Sequence, residues 1–466
     1  MSSPSHLFSA SSEASALKTI AVIGGGLTGL TAAWRLHRAG CRVTVFEKAP
    51  QAGGAIVTTE KDGWLIEGGP NSLQQTPEIT ALLGELGLDG QRIQVNPAAR
   101  KRFIVRRGQL VPVPLSPAGL LVSPLFSLRA RFRVLAELLT RPRVRTTDTS
   151  LASFVTAHFG REITDYGLNP FVAGIYAGDP EKLSARYAFP NLWQLERTHG
   201  SLLRGFRARG EATGVVPVIS FTRGLHTLPA ALAAALPPGS VHTGTTVTSL
   251  IPGRPWKIIW TRGDAVETGD FDAVVLALPA SALAQLVIST LGERTLASLD
   301  HQPHSPVSSL FLGFKREQVA HPLDGFGALV PAVEQRSLLG VLFSSSLFAG
   351  RAPAGHVALT VFAGGIRQPE TARLPTAALL ARVMPDLREL LGVSGEPVFT
   401  HHTFWPRAIP QYNLGHERFL DPLTRCEAKH PGLFIGGNAR DGISLPDCVK
   451  SGARLAQAVT EYVGKL

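Results

Sequence analysis

Between Ile23 and Leu30 the chain reads Gly24-Gly25-Gly26-Leu27-Thr28-Gly29, and few short sequences restrict a fold as strongly. An apolar run at residues 18–23 (KTIAVI) leads into it, a helical pattern continues to Ala39, and a second strand-like run covers residues 42–47. Strand, glycine turn, helix and strand in that order make a dinucleotide-binding unit. Gly24 permits the tight turn, Gly26 lets a pyrophosphate approach bare backbone, and Gly29 lets helix and strand pack closely. The phosphates then sit on N–H groups at a helix N-terminus. Glu47, closing the second strand, is placed to accept both ribose hydroxyls and to repel a 2′-phosphate. A lone Gly-x-Gly-x-x-Gly is weak evidence, but here strand, helix, second strand and acid all agree.

NAD and FAD share this motif, and the residues after it separate them. Gly53-Gly54 follows Glu47 by six residues, and GWLIEGGPN at residues 63–71 gives a second glycine-rich approach. A long flavin dinucleotide runs past both, so FAD, held non-covalently and used as a two-electron oxidant, is the expected cofactor.

Further blocks carry a resemblance: GGPNSL (68–73), NPFVAGIYAGDPEKLSARYAFPNLWQLE (169–196), GLHTLP (224–229), WPRAIPQYNLGH (405–416) and GLFIGGNARDGISLPDCVKSG (432–452). With the nucleotide motif they span nearly the whole chain, which resembles the FAD-dependent amine oxidase superfamily and, within it, the protoporphyrinogen oxidases and their coproporphyrinogen-oxidising relatives. The resemblance implies an α/β chain, α+β overall. Its Rossmann-like FAD domain would be assembled from residues 17–82, 218–288 and 405–466. An antiparallel-sheet substrate domain would take residues 83–103, 191–217 and 289–404, and a helical membrane-facing domain residues 104–190. Strand-like patterns at residues 245–251, 274–278 and 433–435 support the first of these independently.

The same resemblance implies oxidation of protoporphyrinogen IX to protoporphyrin IX in haem biosynthesis. Six electrons would leave in three hydride transfers to flavin, with oxygen as acceptor giving hydrogen peroxide. Coproporphyrinogen III is the alternative substrate, because Arg100 and Lys101 beside Arg102 offer cations for its extra carboxylates. Rival readings are an amine oxidase or carotenoid desaturase, which five tyrosines make a poor fit, and a non-catalytic porphyrin carrier. A homodimer and handover of product to a chelatase are compatible with the chain.

By resemblance, the cofactor contacts are Gly24, Gly25, Gly26, Leu27, Thr28, Gly29, Glu47, Lys48, Gly54, Ala55, Gly69, Pro70, Asn71, Val247, Gly437, Ile443, Ser444 and Leu445. Ala55 stands where related oxidases have Arg, and Arg440 and Asp441 are unusual in the final turn. A helix starting near Leu445, with Asp447 in its first turn, would favour the negative charge of reduced flavin through its dipole. For the substrate, Arg102 matches a position that pairs with a propionate, which suits the planar guanidinium. Leu329, Leu339 and Phe362 match an apolar clamp, and Gly174 and Gly178 a loop pressed against a pyrrole ring. No acid–base residue stands out, so catalysis is expected to be mostly positioning.

The net charge of +11 is concentrated: residues 100–145 hold eleven basic residues against Glu137 alone. Between the basic clusters lies LVPVPLSPAGLLVSPLFSL (110–128), too interrupted by proline for a spanning helix. Cationic flanks around apolar residues suit attachment to an anionic membrane face. Nucleic acid is a poorer partner, because the charge is interleaved with Pro and Leu rather than with stacking aromatics. Residues 1–16, with seven serines and no Lys or Arg, read as a disordered tail. Three cysteines without CxxC spacing fit a reducing interior, and no metal motif is evident. The expected location is therefore cytoplasmic, peripheral to the cytoplasmic membrane face, and bacterial in character.

Overall fold

The computed structural model describes residues 17–114, 119, 122–139, 145–208, 216–289 and 291–466; the expected tail lies outside them. At its centre Thr19–Ile23 pairs in parallel with Arg42–Phe46 on one side and Ala273–Leu276 on the other. Val241–His242 and Leu433–Ile435 extend this into a five-stranded parallel sheet. Its middle strands are near-continuous apolar runs because both faces are covered. Helices Leu27–Arg38 and Leu445–Val463 cross on one face, where a Cβ on Gly452 would lie 2.6 Å from the Thr28 carbonyl oxygen. The other face packs on the meander Thr245–Ile251, Trp256–Arg262 and Ala265–Phe271, with Phe46 and Trp260 rings 4.8 Å apart.

A seven-stranded sheet forms the second layer system, in the order Phe399–Pro410, His304–Lys315, His356–Gly364, Leu338–Leu342, Gly325–Leu329, Lys101–Arg106, Gln109–Pro112. Every pairing is antiparallel except that of Gly325–Leu329 with Lys101–Arg106. One face buries Leu310, Leu312, Leu359 and Val361 against helix Thr376–Leu391. The other face carries Leu329 and Phe362 and turns toward the helical part of the chain, the two bounding the candidate cleft.

The helical part comprises Leu128–Glu137, Leu151–Phe159, Asn169–Tyr176, Pro190–His199 and Leu202–Ala208, around Phe154, Val172, Trp193 and Leu202. It is also held by a buried ionic chain. His158 Nδ1 lies 2.8 Å from Glu137 Oε1 and Nε2 lies 3.0 Å from Glu196 Oε1, and Arg145 Nε donates to both Glu196 oxygens. Burial opposes the charge on His158, but the two carboxylates outweigh it and raise its pKa. Burial likewise disfavours the Glu137 carboxylate, yet hydrogen bonds from His158, Ser201, Leu202 and Leu203 hold its pKa below the ordinary range.

The expected borders shift in three places. Residues 104–112 are strands of the large sheet rather than part of the helical region, because Lys101–Arg106 continues through a tight turn at Arg107-Gly108 into Gln109–Pro112. Residues 190–208 are helices packed with the helical part instead of the substrate sheet. Residues 405–410 complete the edge strand of that sheet rather than opening the last nucleotide segment. No helix among the described residues is long and apolar enough to cross a membrane.

Candidate active site

The first glycine turn is built by sterics. Gly24 has φ +108°, and a Cβ there would sit 2.4 Å from the Ala277 carbonyl oxygen. A Cβ on Gly29 would lie 1.9 Å from the Gly24 oxygen, so helix and turn could not meet. Gly26 differs: its Cβ would point into open space, with only the Gly54 Cα near, at 3.9 Å. Gly26 is also the N-cap of Leu27–Arg38 and supplies no side-chain acceptor, so the helix start presents uncapped donors. Glu47 stands at the back of the turn, accepting from the N–H groups of Gly25 and Ala49, each at 2.7 Å. Lys48 lies exposed beyond it, and Val247 is half-buried opposite Trp260 on the adjoining strand.

The second glycine segment lies against the first. The Gly53 N–H donates to the Gly25 carbonyl at 2.8 Å, and Gly54 faces Gly26. The next turn is equally tight, since a Cβ on Gly69 would lie 1.9 Å from the Ala55 oxygen. Gly54 and Ala55 are exposed, and Gly69, Pro70 and Asn71 are half-exposed, so a strip of accessible backbone runs from Gly26 to Asn71. Its supports come from elsewhere: His226 Nε2 bonds the Ala52 carbonyl, and buried Glu67 accepts from Thr58 and from the Leu225 N–H. A cradle that a Cβ would fill, an uncapped helix start and a carboxylate at the strand end fit a dinucleotide.

At the final turn buried Thr28 faces Gly437, whose φ is +100°, and Leu27, also buried, precedes Thr28 at the start of the first helix. Here the expected dipole effect is reduced. Ser444 and Asp447 form a reciprocal cap, with the Asp447 N–H donating to Ser444 Oγ and the Ser444 N–H to Asp447 Oδ2. Pro446 has no N–H, so of the first turn only the Leu445 N–H remains for a ligand. Asp441 is committed as well, accepting from Gly437, Ser451 and Arg454. Ile443 packs on the helical core instead of standing free.

The substrate candidates gather along one face of the large sheet. Leu329 pairs with Gly340, Gly340 with Phe362, and Phe362 with Ser309, a row whose side chains share a face. Leu339 is the extra residue of a β-bulge between Leu338 and Gly340, which turns it away from simple alternation. A Cβ on Gly174 would lie 2.9 Å from Leu329 Cδ2, so the helix Asn169–Tyr176 closes over this row. Gly178 does not join it. Gly178 is buried, and its Cβ would lie 2.4 Å from Gln411 Oε1, so its smallness is required by internal packing.

Arg102 is half-buried on the same face, two residues from Ile104, with its guanidinium 5.2 Å above the Phe326 ring. The guanidinium has no hydrogen-bond or ion-pair partner among the described residues. Burial lowers its pKa, yet a guanidinium stays charged. Neighbouring cations are already engaged: Lys101 with Asp324, Arg106 with Glu162, and Arg336 with Asp386 and Glu389. Lys101 also alternates to the opposite face, and Arg100 is exposed in the preceding turn, so neither joins Arg102 as the sequence suggested. Phe171 and Ile175, exposed beside Gly174, were missed; their spacing on one side of a helix whose other side buries Val172, Ala173 and Tyr176 was the available signal. Phe326 gave no such signal, because a second bulge places it beneath Arg102.

Comparison with known proteins agrees with this geometry. Residues 27–460 match the flavin containing amine oxidoreductases. The chain belongs to that family. It is 33% identical to protoporphyrinogen oxidase 2, chloroplastic/mitochondrial, of Arabidopsis thaliana, over 97% of this chain and 95% of that one. It is 28% identical to the coproporphyrinogen III oxidase of Bacillus subtilis (strain 168), over 95% and 98% of the respective chains. A crystal structure from Exiguobacterium sp. 255-15 superposes with a TM-score of 0.80 at 24% identity, covering 95% of this chain and 99% of that one. The fold also matches a putrescine oxidase triple mutant, with a TM-score of 0.71 at 18% identity over 96% and 99% of the two chains. Within its family the chain stands with the protoporphyrinogen oxidases, and it is an FAD-dependent oxidoreductase.

Proposed function

We propose that this enzyme oxidises protoporphyrinogen IX to protoporphyrin IX, with oxygen as the terminal acceptor. The observation that carries the reading is Arg102: a half-buried cation without a partner at the edge of an apolar wall. A porphyrinogen needs both features, broad apolar contact for its macrocycle and a guanidinium for a propionate. FAD, held non-covalently by the Gly24–Gly29 turn, Glu47 and Gly54, would supply the hydride acceptor for three two-electron oxidations at meso carbons, with oxygen as the terminal acceptor giving hydrogen peroxide.

The chain's own residues orient and shield. Leu329, Leu339 and Phe362 would lie under the ring, Gly174 would let it approach the helix, and Arg102 would hold one edge. No histidine or carboxylate stands among these residues, so the three protons that accompany the hydrides, two from pyrrole nitrogens and one from the remaining meso carbon, would pass to solvent. Among the described residues of this face, Arg102 alone offers an unpaired guanidinium, which suits the two propionates of protoporphyrinogen IX better than the four carboxylates of coproporphyrinogen III.

The enzyme is further inferred to work on the cytoplasmic face of an anionic membrane. Leu128, Phe132 and Leu135 form an exposed stripe on one side of the helix Leu128–Glu137, and Leu139 continues it just past the helix end, with Phe132 69% and Leu139 83% exposed. Arg129 and Arg133 flank it, the pattern of a helix lying in a lipid interface. Residues 115–118, 120–121 and 140–144, which complete the basic and apolar segment, lie outside the described residues.

The deciding experiment is anaerobic mixing of flavin-replete enzyme with protoporphyrinogen IX, following flavin bleaching and porphyrin fluorescence together. Both change in step if the reading holds. A flavin that stays oxidised removes the porphyrinogen assignment, and faster bleaching by coproporphyrinogen III reverses the order of substrates.

A further inference from the structure

The helix that carries Gly174 is fixed in place by one side chain that the reaction does not use. Asn169 begins that helix and is buried, and its Oδ1 accepts two hydrogen bonds, from the Ala332 N–H at 2.9 Å and from Arg367 Nη1 at 2.9 Å. Both donors sit just past strands of the cleft wall. Ala332 follows Gly325–Leu329, which ends in the clamp residue Leu329, and Arg367 follows His356–Gly364, which carries Phe362. One oxygen therefore ties the upper wall of the cleft to both strands that supply its floor.

Two other features point to the same residue. The chain reaches Asn169 through a π-helical turn, Thr164–Leu168, in which the Asn169 N–H donates to the Thr164 carbonyl. A π turn is an unfavourable local geometry that rotates the next helical segment about its axis, and it persists where that rotation is needed. Arg367 also reaches the far end of the helix: Nη2 lies 3.7 Å from Asp179, and the neighbouring Ile366 N–H donates to the Ala177 carbonyl at 2.8 Å. The helix is thus pinned at both ends to the turn after the Phe362 strand, with Gly174 between the pins and 2.9 Å from Leu329 for an added Cβ.

We propose that Asn169, backed by Arg367, is the positioning residue that sets the spacing between the Gly174 helix and the Leu329–Phe362 row, and so governs admission of the porphyrinogen macrocycle. This rests on the porphyrinogen reading above. Asn169 touches neither the ring nor the flavin in this role. Its effect passes through the helix.

The test uses the full-length holoenzyme and protoporphyrinogen IX. Asn169→Leu keeps the size and removes the acceptor; Asn169→Asp keeps the acceptor. The expected result is a KM raised on the order of tenfold to a hundredfold for Asn169→Leu, which loses both hydrogen bonds to Oδ1, with kcat and flavin content close to wild type. Asn169→Asp should restore KM. Should Asn169→Leu fail to fold, Arg367→Met leaves the Ala332 bond intact and is expected to raise KM by a smaller factor. An unchanged KM in the variant that folds, equal losses in kcat and KM, or an Asp variant as impaired as Leu would each overturn the proposal. Wild-type enzyme that does not oxidise the porphyrinogen would instead remove the functional reading beneath it.

Discussion

Replacing His158 with leucine tests how the helical part is held. In the native chain both ring nitrogens face carboxylates, at 2.8 Å from Glu137 and 3.0 Å from Glu196, an arrangement that favours the doubly protonated, cationic ring and raises its pKa. All three side chains are almost fully buried, and Arg145 brings a second cation to Glu196. Leucine fills much of the space but removes two charge-assisted hydrogen bonds, worth roughly 1.5–3 kcal/mol each. Breaking a buried ion pair costs about 3–5 kcal/mol, because the abandoned charge stays sealed from water. Glu137 keeps Ser201, Leu202 and Leu203 as donors, and Glu196 keeps Arg145, which argues for the middle of that range, about 4 kcal/mol.

A chain of 466 residues with several cores need not unfold in one step, so a global melting point is the wrong readout. Amide hydrogen exchange resolves the region: in Leu128–Glu137 and Leu202–Ala208 protection should fall by about a thousandfold, the equivalent of 4 kcal/mol, while the parallel sheet around Thr19–Ile23 stays protected. The pH dependence supplies a second check. His158 has a raised folded pKa, so its contribution is complete below its ordinary value of 6.5 and is lost as pH climbs through the raised one. Glu137 and Glu196 have lowered folded pKa values, so theirs is complete above the ordinary 4.5 and is lost as pH falls through the lowered ones. Wild-type protection in these helices should be greatest between those two values, and the leucine variant should lose the decline on the alkaline side. A loss below about 1 kcal/mol, or one spread equally over the nucleotide sheet, would refute the reasoning.

Three other sites have outcomes set by single contacts. Gly29→Ala should destabilise the apoprotein itself because its Cβ would lie 1.9 Å from a carbonyl oxygen, whereas Gly26→Ala should fold normally and lose FAD affinity; thermal unfolding of both apoproteins and flavin titration separate the two. Arg102→Ala should raise KM for the porphyrinogen by the equivalent of about 1–3 kcal/mol while flavin occupancy holds, and steady-state kinetics with an unchanged KM would remove Arg102 from the site. Phe132→Ser with Leu139→Ser should weaken co-sedimentation with anionic vesicles without lowering thermal stability, since both side chains are exposed in the free protein.

How much could be read from the sequence depended on how far apart the cooperating residues lie. The first glycine turn was legible because its sterics are local: Gly24 and Gly29 contact each other or the neighbouring strand end, and the strand and helix patterns flank them. The sheet row was partly legible, through Leu329, Leu339 and Phe362, but the bulges at Leu339 and Phe326 change which side chains face the cleft, and a bulge depends on cross-strand register. His158 gave no signal, since its partners lie 21 and 38 residues away and a histidine between two glutamates is recognisable only in space. The boundary drawn at residue 104 cut a hairpin whose turn, Arg107-Gly108, carries positive φ at both positions.

The final turn shows the opposite error, a local motif whose consequence was misjudged. Ser444-x-x-Asp447 is a capping pattern, and a capped helix start has already used the donors that a dipole argument assigns to a ligand. With Pro446 supplying none, one N–H is left there, and Asp447 adds a negative charge in the same turn. Asp441, by contrast, is offset by Arg454 at 2.8 Å. An electron-rich ring brought to this turn would therefore gain less than an open helix start offers. The uncapped start at Gly26, where no acidic residue occupies the first turn, is the stronger anion site of the two, which places the fixed charge of a pyrophosphate, rather than the transient charge of a reduced ring, where this fold is best able to hold it.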